Sequence, residues 1–301
     1  MKPIRHLSEI ADACKARPKR TLSVAYGEDP HTIGAIARAV NEKMVDAIIT
    51  GSKERIEKVA KDKGIDPSVF TIIDIPDEVS AAREAVRLVR SEKAHFLMKG
   101  LCGTSTYMRA ILNKEEGLMQ EGALLSHVAV IEVATYPKLL ILSDVAVLLA
   151  PTLKEKAKMI EYCTDIAHRL GIETPKAAII CAVEKVNLKM QATLDAAILS
   201  KMADRGQIKG VIVDGPLALD VAVSKECAEI KRLESDVAGD ADIFILPEIE
   251  TANVFYKSLI QLANGKLAAI VTGAICPCVL TSRGDTDESK FFSIALAALM
   301  S

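Results

Sequence analysis

The sequence lacks tryptophan altogether, and aromatic residues make up only 4% of its 301 residues. Hydrophobic residues still make up 50%, so the cores must be built from alanine, valine, isoleucine and leucine. This composition favours parallel sheets covered by helices, whose strands are buried on both faces. The length predicts about two domains of roughly 100–200 residues each.

Long apolar runs and an excess of charge of one sign are also missing. The apolar run "VAVLLAP" at residues 145–151 is strand-sized, whereas a membrane helix needs roughly 18 apolar residues. The stretch "MKPIRHLSEIADACKARPKR" has no apolar core and no cleavage site, so we expect no secretory signal. The net charge of −2 argues against nucleic-acid binding. We therefore expect neither a membrane nor a nucleic-acid partner.

The seven cysteines follow no regular spacing. An odd, irregular set argues against a disulfide framework and favours reduced thiols in the cytoplasm. Cys276 and Cys278 form a C-x-C pair, but a zinc site needs a second pair or nearby histidines. The histidine nearest to them in sequence is His168. We expect no bound metal.

Short apolar runs alternate with longer amphipathic stretches, which predicts an α/β fold with largely parallel strands. The stretch "ATYPKLL", residues 134–140, predicts a hairpin or a crossing point between two halves. The predicted strands are "TLSVAY", "DAIIT", "FTIID", "AHFLMK", "HVAVIEVA", "KLLILSD", "KAAIICA", "GVIVDG", "DIFILPE", "LAAIVTG" and "CVLTS".

Ligands of open α/β sheets bind at the carboxyl ends of strands, so the loops after the predicted strands are candidate sites. In "MKGLCGTSTYMRAIL", residues 98–112, two glycines separate a strand from a helix that begins at Thr104 or Ser105. Such a turn is typical of an anion-binding helix N-terminus or of a plain capped turn. It matches neither G-x-x-x-x-G-K-[ST] nor G-x-G-x-x-G.

Three further segments combine polar residues with strand ends or helical spacing. Ser126 and His127 precede a strand in "LLSHVAVIE". Asp214 and Asp220 in "DGPLALD" fit a turn with a cap, or a metal pair if the fold brings them together. In "PEIETANVFYKSLIQLANG", helical spacing places Asn253, Tyr256 and Lys257 on one face. Phe255, Leu259 and Leu262 fall on the opposite face. That helix fits a solvated surface or a phosphate-binding face.

The stretch "VLTSRGDTDESK", residues 279–290, ends a strand and begins the last helix. Asp285 and Glu288 have the spacing of a capping box, which predicts Asp285 as the N-cap. Ser282 and Arg283 precede the cap at the carboxyl end of the strand. An arginine beside a helix N-terminus favours an anion site.

Together these motifs resemble the phosphate acetyl/butyryltransferase family, most of all its phosphate butyryltransferase branch. They occur in the family's order from about residue 95 to the end. The matching stretches are "LMKGLCGTSTYMRAILNKEEGL", "LSHVAVIE", "PKAAIICAVEKVNLKMQAT", "VDGPLALDVAVS", "VAGDADIFILPEIETANVFYKSL" and "VLTSRGDTDESKFFSIALA".

The resemblance implies reversible transfer of a short-chain, butyryl-type acyl group between CoA and phosphate, by direct attack of the CoA thiol in a ternary complex. It implies two three-layer α/β domains like those of isocitrate and isopropylmalate dehydrogenases, with the active site in the interdomain cleft. The first domain would hold 1–136 plus 276–301, and the second 137–275. CoA would be a substrate, with no bound cofactor, and the protein would be a cytoplasmic homo-oligomer.

The resemblance also assigns roles to residues. Arg283 would clamp phosphate and offset charge on the attacked carbonyl group, and Ser282 would hydrogen-bond near the thiol or acyl oxygen. The phosphate and substrate site would be lined by Ser126, Asn253, Tyr256, Lys257, Lys99, Gly100 and Thr104. Arg109 would meet a CoA phosphate.

The family uses an aspartate after the Ser-Arg pair to take the thiol proton. We favour Asp287 over Asp285 for this role, because Asp285 is the better cap. An acyl-cysteine intermediate on Cys276 or Cys278 is the rival mechanism. The rival functions are an NAD- and metal-dependent dehydrogenase on the same fold, using Asp214 and Asp220, and a non-catalytic acyl-CoA- or phosphate-binding protein.

Overall fold

A computed structural model of the protein describes residues 2–281 and 284–301. Strands and helices alternate along the chain as predicted, and every predicted apolar run overlaps a strand. The strands are β1 Arg20–Ala25, β2 Val45–Gly51, β3 Thr71–Asp74, β4 Phe96–Lys99, β5 Ser126–Glu132, β6 Leu140–Ser143, β7 Lys176–Ile180, β8 Ile212–Leu217, β9 Ile243–Ile245, β10 Lys266–Thr272 and β11 Cys278–Val279.

Helices lie between most of these strands along the chain. They are α1 Leu7–Lys15, α2 Pro30–Asn41, α3 Lys53–Asp62, α4 Glu78–Arg90, α5 Thr104–Ile111, α6 Leu153–Arg169, α7 Gln191–Asp204, α8 Leu219–Val223, α9 Lys225–Ile230, α10 Ile249–Leu262 and α11 Asp287–Met300, with a 3₁₀ turn at Pro67–Val69. Within the described part of the chain, none of these helices is long and apolar enough to cross a membrane.

The chain forms two compact units. The terminal unit consists of Ser8–Leu125 and Ala268–Ser301. The central unit consists of Ser126–Leu267 and the N-terminal segment that ends at Leu7. The predicted domain limits, 136 and 276, lie C-terminal to the corresponding unit boundaries.

The terminal unit is built on a sheet with the strand order β3-β2-β1-β4-β11-β10. Its strands are parallel except β10, which is antiparallel to β11. Phe96, Leu97 and Met98 of β4 are fully buried, as expected for an apolar strand covered on both faces. The chain runs from β1 through β2 to β3 and then returns to β4 on the other side of β1. The β1–β4 junction is therefore a topological switch point, where α/β sheets bind ligands.

The two-residue strand β11 lies parallel to β4, with Cys278 opposite Leu97 and Val279 opposite Met98. Parallel neighbours end at the same edge of a sheet. The loop after Lys99 and the loop after Val279 therefore leave the sheet side by side, although they are far apart in sequence.

The central unit is built on a sheet with the strand order β5-β6-β9-β7-β8. Strands β5 and β6 are antiparallel, so the segment around "ATYPKLL" is a hairpin. The remaining pairs are parallel. Because β5 runs against its neighbour, its first residue, Ser126, lies at the edge where the parallel strands end.

Gly100 allows the loop after β4 to approach the end of β1. Its N–H donates to Ala25 O at 2.9 Å, and the next N–H, of Leu101, donates to Tyr26 O at 2.7 Å. A Cβ at position 100 would lie 2.4 Å from Tyr26 O and 2.8 Å from the Cα of Gly27. Both contacts are with backbone, so one strand end would have to move.

We therefore expect Gly100→Ala to lower the free energy of unfolding by roughly 1–3 kcal/mol, as other overpacked sites do. Urea unfolding checks this. Gly103→Ala in the same loop is the matched control, because its Cβ would meet nothing closer than 3.5 Å. Equal losses for the two variants would contradict the steric argument.

Candidate active site

The loop after β4 holds three of the predicted site residues. Lys99 is buried and its Nζ donates to the carbonyl oxygens of Gly100 and Cys102, both at 3.1 Å. Thr104 is exposed and is the first residue of α5, as predicted. The N-cap, Gly103, offers no side chain to the helix N-terminus, which leaves its first N–H groups to other acceptors.

The predicted Ser282 and Arg283 lie outside the described residues, but the chain on both sides of them is described. Before them, Thr281 is buried. After them, Thr286 is the N-cap of α11, and its Oγ1 accepts the N–H of Ser289 at 3.1 Å. The prediction of Asp285 as the cap was therefore wrong. Threonine and aspartate both cap well, and the helix begins one residue later than the sequence pattern indicated.

Asp287 is held by a lysine and a histidine side chain of the terminal unit. Its Oδ2 accepts from Lys63 Nζ at 2.9 Å, and its Oδ1 hydrogen-bonds to His31 Nδ1 at 2.5 Å. Burial alone would raise the pKa of Asp287, but these hydrogen bonds outweigh it and hold the pKa below its usual value. No local pattern in the sequence indicates this cluster, because its members come from α2, the C-cap of α3 and α11.

Ser126 belongs to a buried network at the edge of the central sheet. Its Oγ lies 2.9 Å from Ser143 Oγ and donates to Asp144 Oδ2 at 3.0 Å. Asp144 Oδ2 also accepts the N–H of His127, and Oδ1 accepts the N–H groups of Ala146 and Val147, all at 2.8 Å. Asp144 was missed by the sequence reasoning. Its signal is an acidic residue directly after an apolar strand.

Helix α10 brings Asn253 to this network. Asn253 Nδ2 donates to the carbonyl oxygen of Val145 at 3.0 Å. Tyr256 is half-buried and Lys257 is exposed, with its Nζ 6.0 Å from the Tyr256 ring centroid. The predicted polar face is thus present. The predicted apolar back is only partly correct, because Phe255 stacks on Phe244 but Leu262 is 82% exposed at the end of the helix.

Arg109 lines a cavity of about 790 Å³ in the terminal unit, between α4 and α5. Arg83, Arg87 and Arg90 line it too, with Glu84 and Glu116. Glu84 is engaged by Arg87 through two contacts of 2.6 Å. Four guanidinium groups against two carboxylates make the cavity cationic, which suits a ligand that carries several phosphates.

Comparison with known proteins finds relatives over nearly the whole chain. The family model "Phosphate acetyl/butaryl transferase" matches residues 78–298. The phosphate butyryltransferase of Clostridium acetobutylicum is 47% identical over 297 residues, which cover 99% of this chain and 98% of that protein. The phosphate acetyltransferase of Thermotoga maritima is 44% identical, covering 97% of this chain and 99% of that protein.

The chain belongs to the phosphate acetyl/butyryltransferase family. Its fold agrees: a branched-chain phosphotransacylase from Enterococcus faecalis V583 superposes with a TM-score of 0.83 and 32% identity, covering 93% of this chain and 98% of that one. The predicted family and α/β fold class are confirmed. The interdomain cleft and the site residues stay predictions.

The dehydrogenase alternative is not favoured for a member of this family. Asp220 forms an ion pair with Lys231 at 2.9 Å, and Asp214 Oδ1 accepts the N–H of Gly215. Across residues 2–281 and 284–301, no group of three His, Cys, Asp or Glu side chains is arranged to hold a metal ion. All seven cysteines are free thiols.

The Asp287 cluster predicts a pH-dependent contribution to stability. Because the folded-state pKa lies below the unfolded value, this stability is present above the unfolded pKa and is lost as the pH falls through the folded one. We expect Asp287→Asn to lower the free energy of unfolding at pH 7 by roughly 0.5–1 kcal/mol, a small value because the pair is half-exposed and screened.

Urea unfolding of both proteins between pH 7 and pH 3 measures this difference, which should shrink below about pH 5. Asp236→Asn removes the same charge from an exposed loop of the central unit and should have no such effect. A difference that stayed constant down to pH 3 would show that the ion pairs do not stabilise the fold.

Proposed function

We propose that this protein transfers a short-chain acyl group reversibly between CoA and inorganic phosphate, with a butyryl-type group favoured. The 47% identity to a phosphate butyryltransferase over 99% of the chain carries the proposal. The strand ends support it, because they carry Lys99, hydroxyl groups and a helix N-terminus without a side-chain cap, which are the kinds of group that bind phosphate.

In the direction of CoA acylation, the CoA sulfur forms a bond to the acyl carbon of the acyl phosphate. The bond between that carbon and the bridging oxygen breaks, phosphate leaves with the electron pair, and the thiol proton passes to a carboxylate. Arg283 clamps the phosphate and offsets charge on the carbonyl oxygen. Ser282 hydrogen-bonds beside it, and Lys99, Gly100 and Thr104 line the same edge of the terminal sheet.

The central unit contributes Ser126, Asn253, Tyr256 and Lys257 to phosphate binding in this proposal. The Asp144 network supports the role of Ser126, because it fixes the serine hydroxyl at the end of the sheet. The Asn253 bond to Val145 O ties α10 to the loop after β6. Lys257, one turn further on, supplies an exposed cation.

The proton acceptor is Asp285 or Asp287. The sequence favoured Asp287 because Asp285 was predicted to cap α11. Thr286 caps the helix instead, so this reason no longer applies. Asp287 is also occupied by Lys63 and His31, which lower its pKa and weaken it as a base. We therefore propose Asp285, which precedes the helix, as the first candidate.

The cationic cavity around Arg109 is proposed to bind the phosphate groups of CoA. Its volume of about 790 Å³ suits a nucleotide, and Arg83, Arg87 and Arg90 add charge beside Arg109.

Direct attack by CoA is preferred over an acyl-cysteine route. Cys276 and Cys278 are buried, with their sulfur atoms 4.0 Å apart. The hydrogen bond with Cys276 and burial both raise the pKa of Cys278 well above its usual value. The thiolate is the nucleophilic form, so a thiol held protonated attacks poorly. Free thiols also fit the proposed cytoplasmic location, and a homo-oligomeric state remains part of the proposal.

The activity test measures kcat/KM for acetyl-, propionyl-, butyryl- and branched acyl-CoA with phosphate, following release of the free thiol. We expect the highest kcat/KM for a C4 acyl group, and we expect the Arg283→Ala variant to lose this activity.

We expect Asp285→Asn to lower kcat at least about tenfold with stability nearly unchanged, and Asp287→Asn to have the smaller effect on kcat. Wild-type protein without phosphate-dependent thiol release would overturn the proposal.

The mechanism has its own test. Exchange of labelled phosphate into butyryl phosphate in the absence of CoA should be undetectable if the thiol of CoA attacks directly. Exchange without CoA would establish a covalent acyl-enzyme, and Cys278→Ser would then be the variant to examine.

A further inference from the structure

A second cavity, of about 790 Å³, lies in the central unit and shares no residue with the proposed acyl-transfer site. It is lined by the chain at the ends of β7 and β9 and by the first turns of α6, α7 and α10. The carboxyl ends of parallel strands are where α/β sheets bind ligands. A cavity of this volume suits a small molecule rather than one trapped water.

A buried ion pair lies in the wall of this central cavity. Lys156 of α6 and Asp195 of α7 are both 5% exposed, and Lys156 Nζ donates to Asp195 Oδ2 at 2.6 Å. Gln191 Nε2 donates to Asp195 Oδ1 at 2.8 Å. Compared with well-packed apolar side chains, two buried charges add little or nothing to stability. A ligand that hydrogen-bonds to the pair explains its presence better than stability does.

The groups around the pair offer more hydrogen-bond donors than acceptors. An ammonium group has three N–H donors, and within residues 2–281 and 284–301 Lys156 Nζ uses one of them, on Asp195. Both Asp195 oxygens already accept a hydrogen bond. The thiol of Cys181, which also lines the cavity, stays protonated at neutral pH because burial raises its pKa to about 11. A ligand that fits here carries acceptor oxygens.

The charge around the central cavity is small. The charges of Lys156 and Asp195 cancel, and Glu248 is exposed, so that water and salt screen it. The N-caps of α7 and α10, Met190 and Glu248, make no side-chain cap hydrogen bond, so both helix starts keep a partial positive charge. This balance suits a ligand with one negative charge, whereas the four arginines of the terminal unit's cavity suit several phosphates.

Much of the remaining lining is apolar and includes Leu153, Ile180, Met190 and Ala192. Burial of a hydrocarbon chain against such side chains is favourable in proportion to its apolar area. We propose that the central cavity is a binding site for a short-chain monocarboxylate, whose oxygens accept from Lys156 and whose hydrocarbon chain lies against the apolar lining. The inference does not rest on the proposed function.

The test is an NMR titration of the full chain with acetate, butyrate and hexanoate, which requires no turnover. We expect the affinity to rise about three- to fourfold for each added CH₂ group. Butyramide has the chain length of butyrate without the charge and should bind at least about tenfold more weakly. Equal affinities for butyramide and butyrate would refute a carboxylate site.

Two variants place the ligand in the central cavity. Lys156→Met combined with Asp195→Leu removes both buried charges together, so the fold should persist, and the affinity for butyrate should fall at least about tenfold. Ala192→Phe keeps the pair and fills the cavity from the first turn of α7, so it should weaken hexanoate binding more than acetate binding.

The matched control is Lys201→Met combined with Asp204→Leu. This variant removes an exposed ion pair of the same 2.6 Å length from the same helix, α7, and should leave the affinity for butyrate unchanged. Wild-type affinity in both cavity variants would show that butyrate binds elsewhere and would refute the inference, as would a wild-type protein that binds no hexanoate.

Failure of the proposed function has a different signature, because that function is measured by thiol release. A protein that binds butyrate through Lys156 but releases no thiol from acyl-CoA and phosphate would refute the proposed function and support the carboxylate site. A protein that releases thiol but binds no carboxylate in the central cavity would do the reverse.

Discussion

The pairing of β11 with β4 is the constraint on which the terminal unit's site depends. A strand of only two residues returns from the far end of the chain and lies parallel to β4. The Leu97 N–H donates to Pro277 O at 3.2 Å, and the Tyr107 hydroxyl donates to Val279 O at 3.2 Å, which fixes the register from both sides. Without this pairing, the glycine-rich loop after Lys99 and the chain after Val279 would leave different parts of the sheet.

The carboxylates of Asp144 and Asp287 already accept hydrogen bonds at both oxygen atoms. Asp144 accepts one hydroxyl and three backbone N–H groups, so it organises a loop and has little capacity left for a substrate proton. Asp287 is occupied by Lys63 and His31 and ties the start of α11 to α2 and to the end of α3. Both aspartates hold chain segments in place, and in the proposed mechanism the basic role belongs to Asp285.

Much of the fold could be predicted from the sequence, because buried strands are short apolar runs and the helices between them show a regular hydrophobic periodicity. The start of α5 at Thr104 and the β5–β6 hairpin were each one of two alternatives that the local sequence predicted. The features that the sequence did not predict correctly have other physical causes. The cap at Thr286 was displaced by one residue because two good capping residues compete there. The Asp287 cluster and the Lys156–Asp195 pair unite residues from separate elements, and no local pattern predicts such partners.

The proton balance at the site follows from these contacts. A thiol with a pKa near 8.5 and an aspartate near 3.9 differ by about 4.6 units, or roughly 6 kcal/mol against transfer. A cation that binds an aspartate increases this gap, as Lys63 does at Asp287. A cation near the thiol or the carbonyl oxygen decreases the barrier instead, by stabilising the thiolate and the charge that forms on attack. In the proposed mechanism, proton transfer either accompanies attack or follows a shift of the aspartate and thiol pKa values towards each other, and positive charge near the thiol favours both routes.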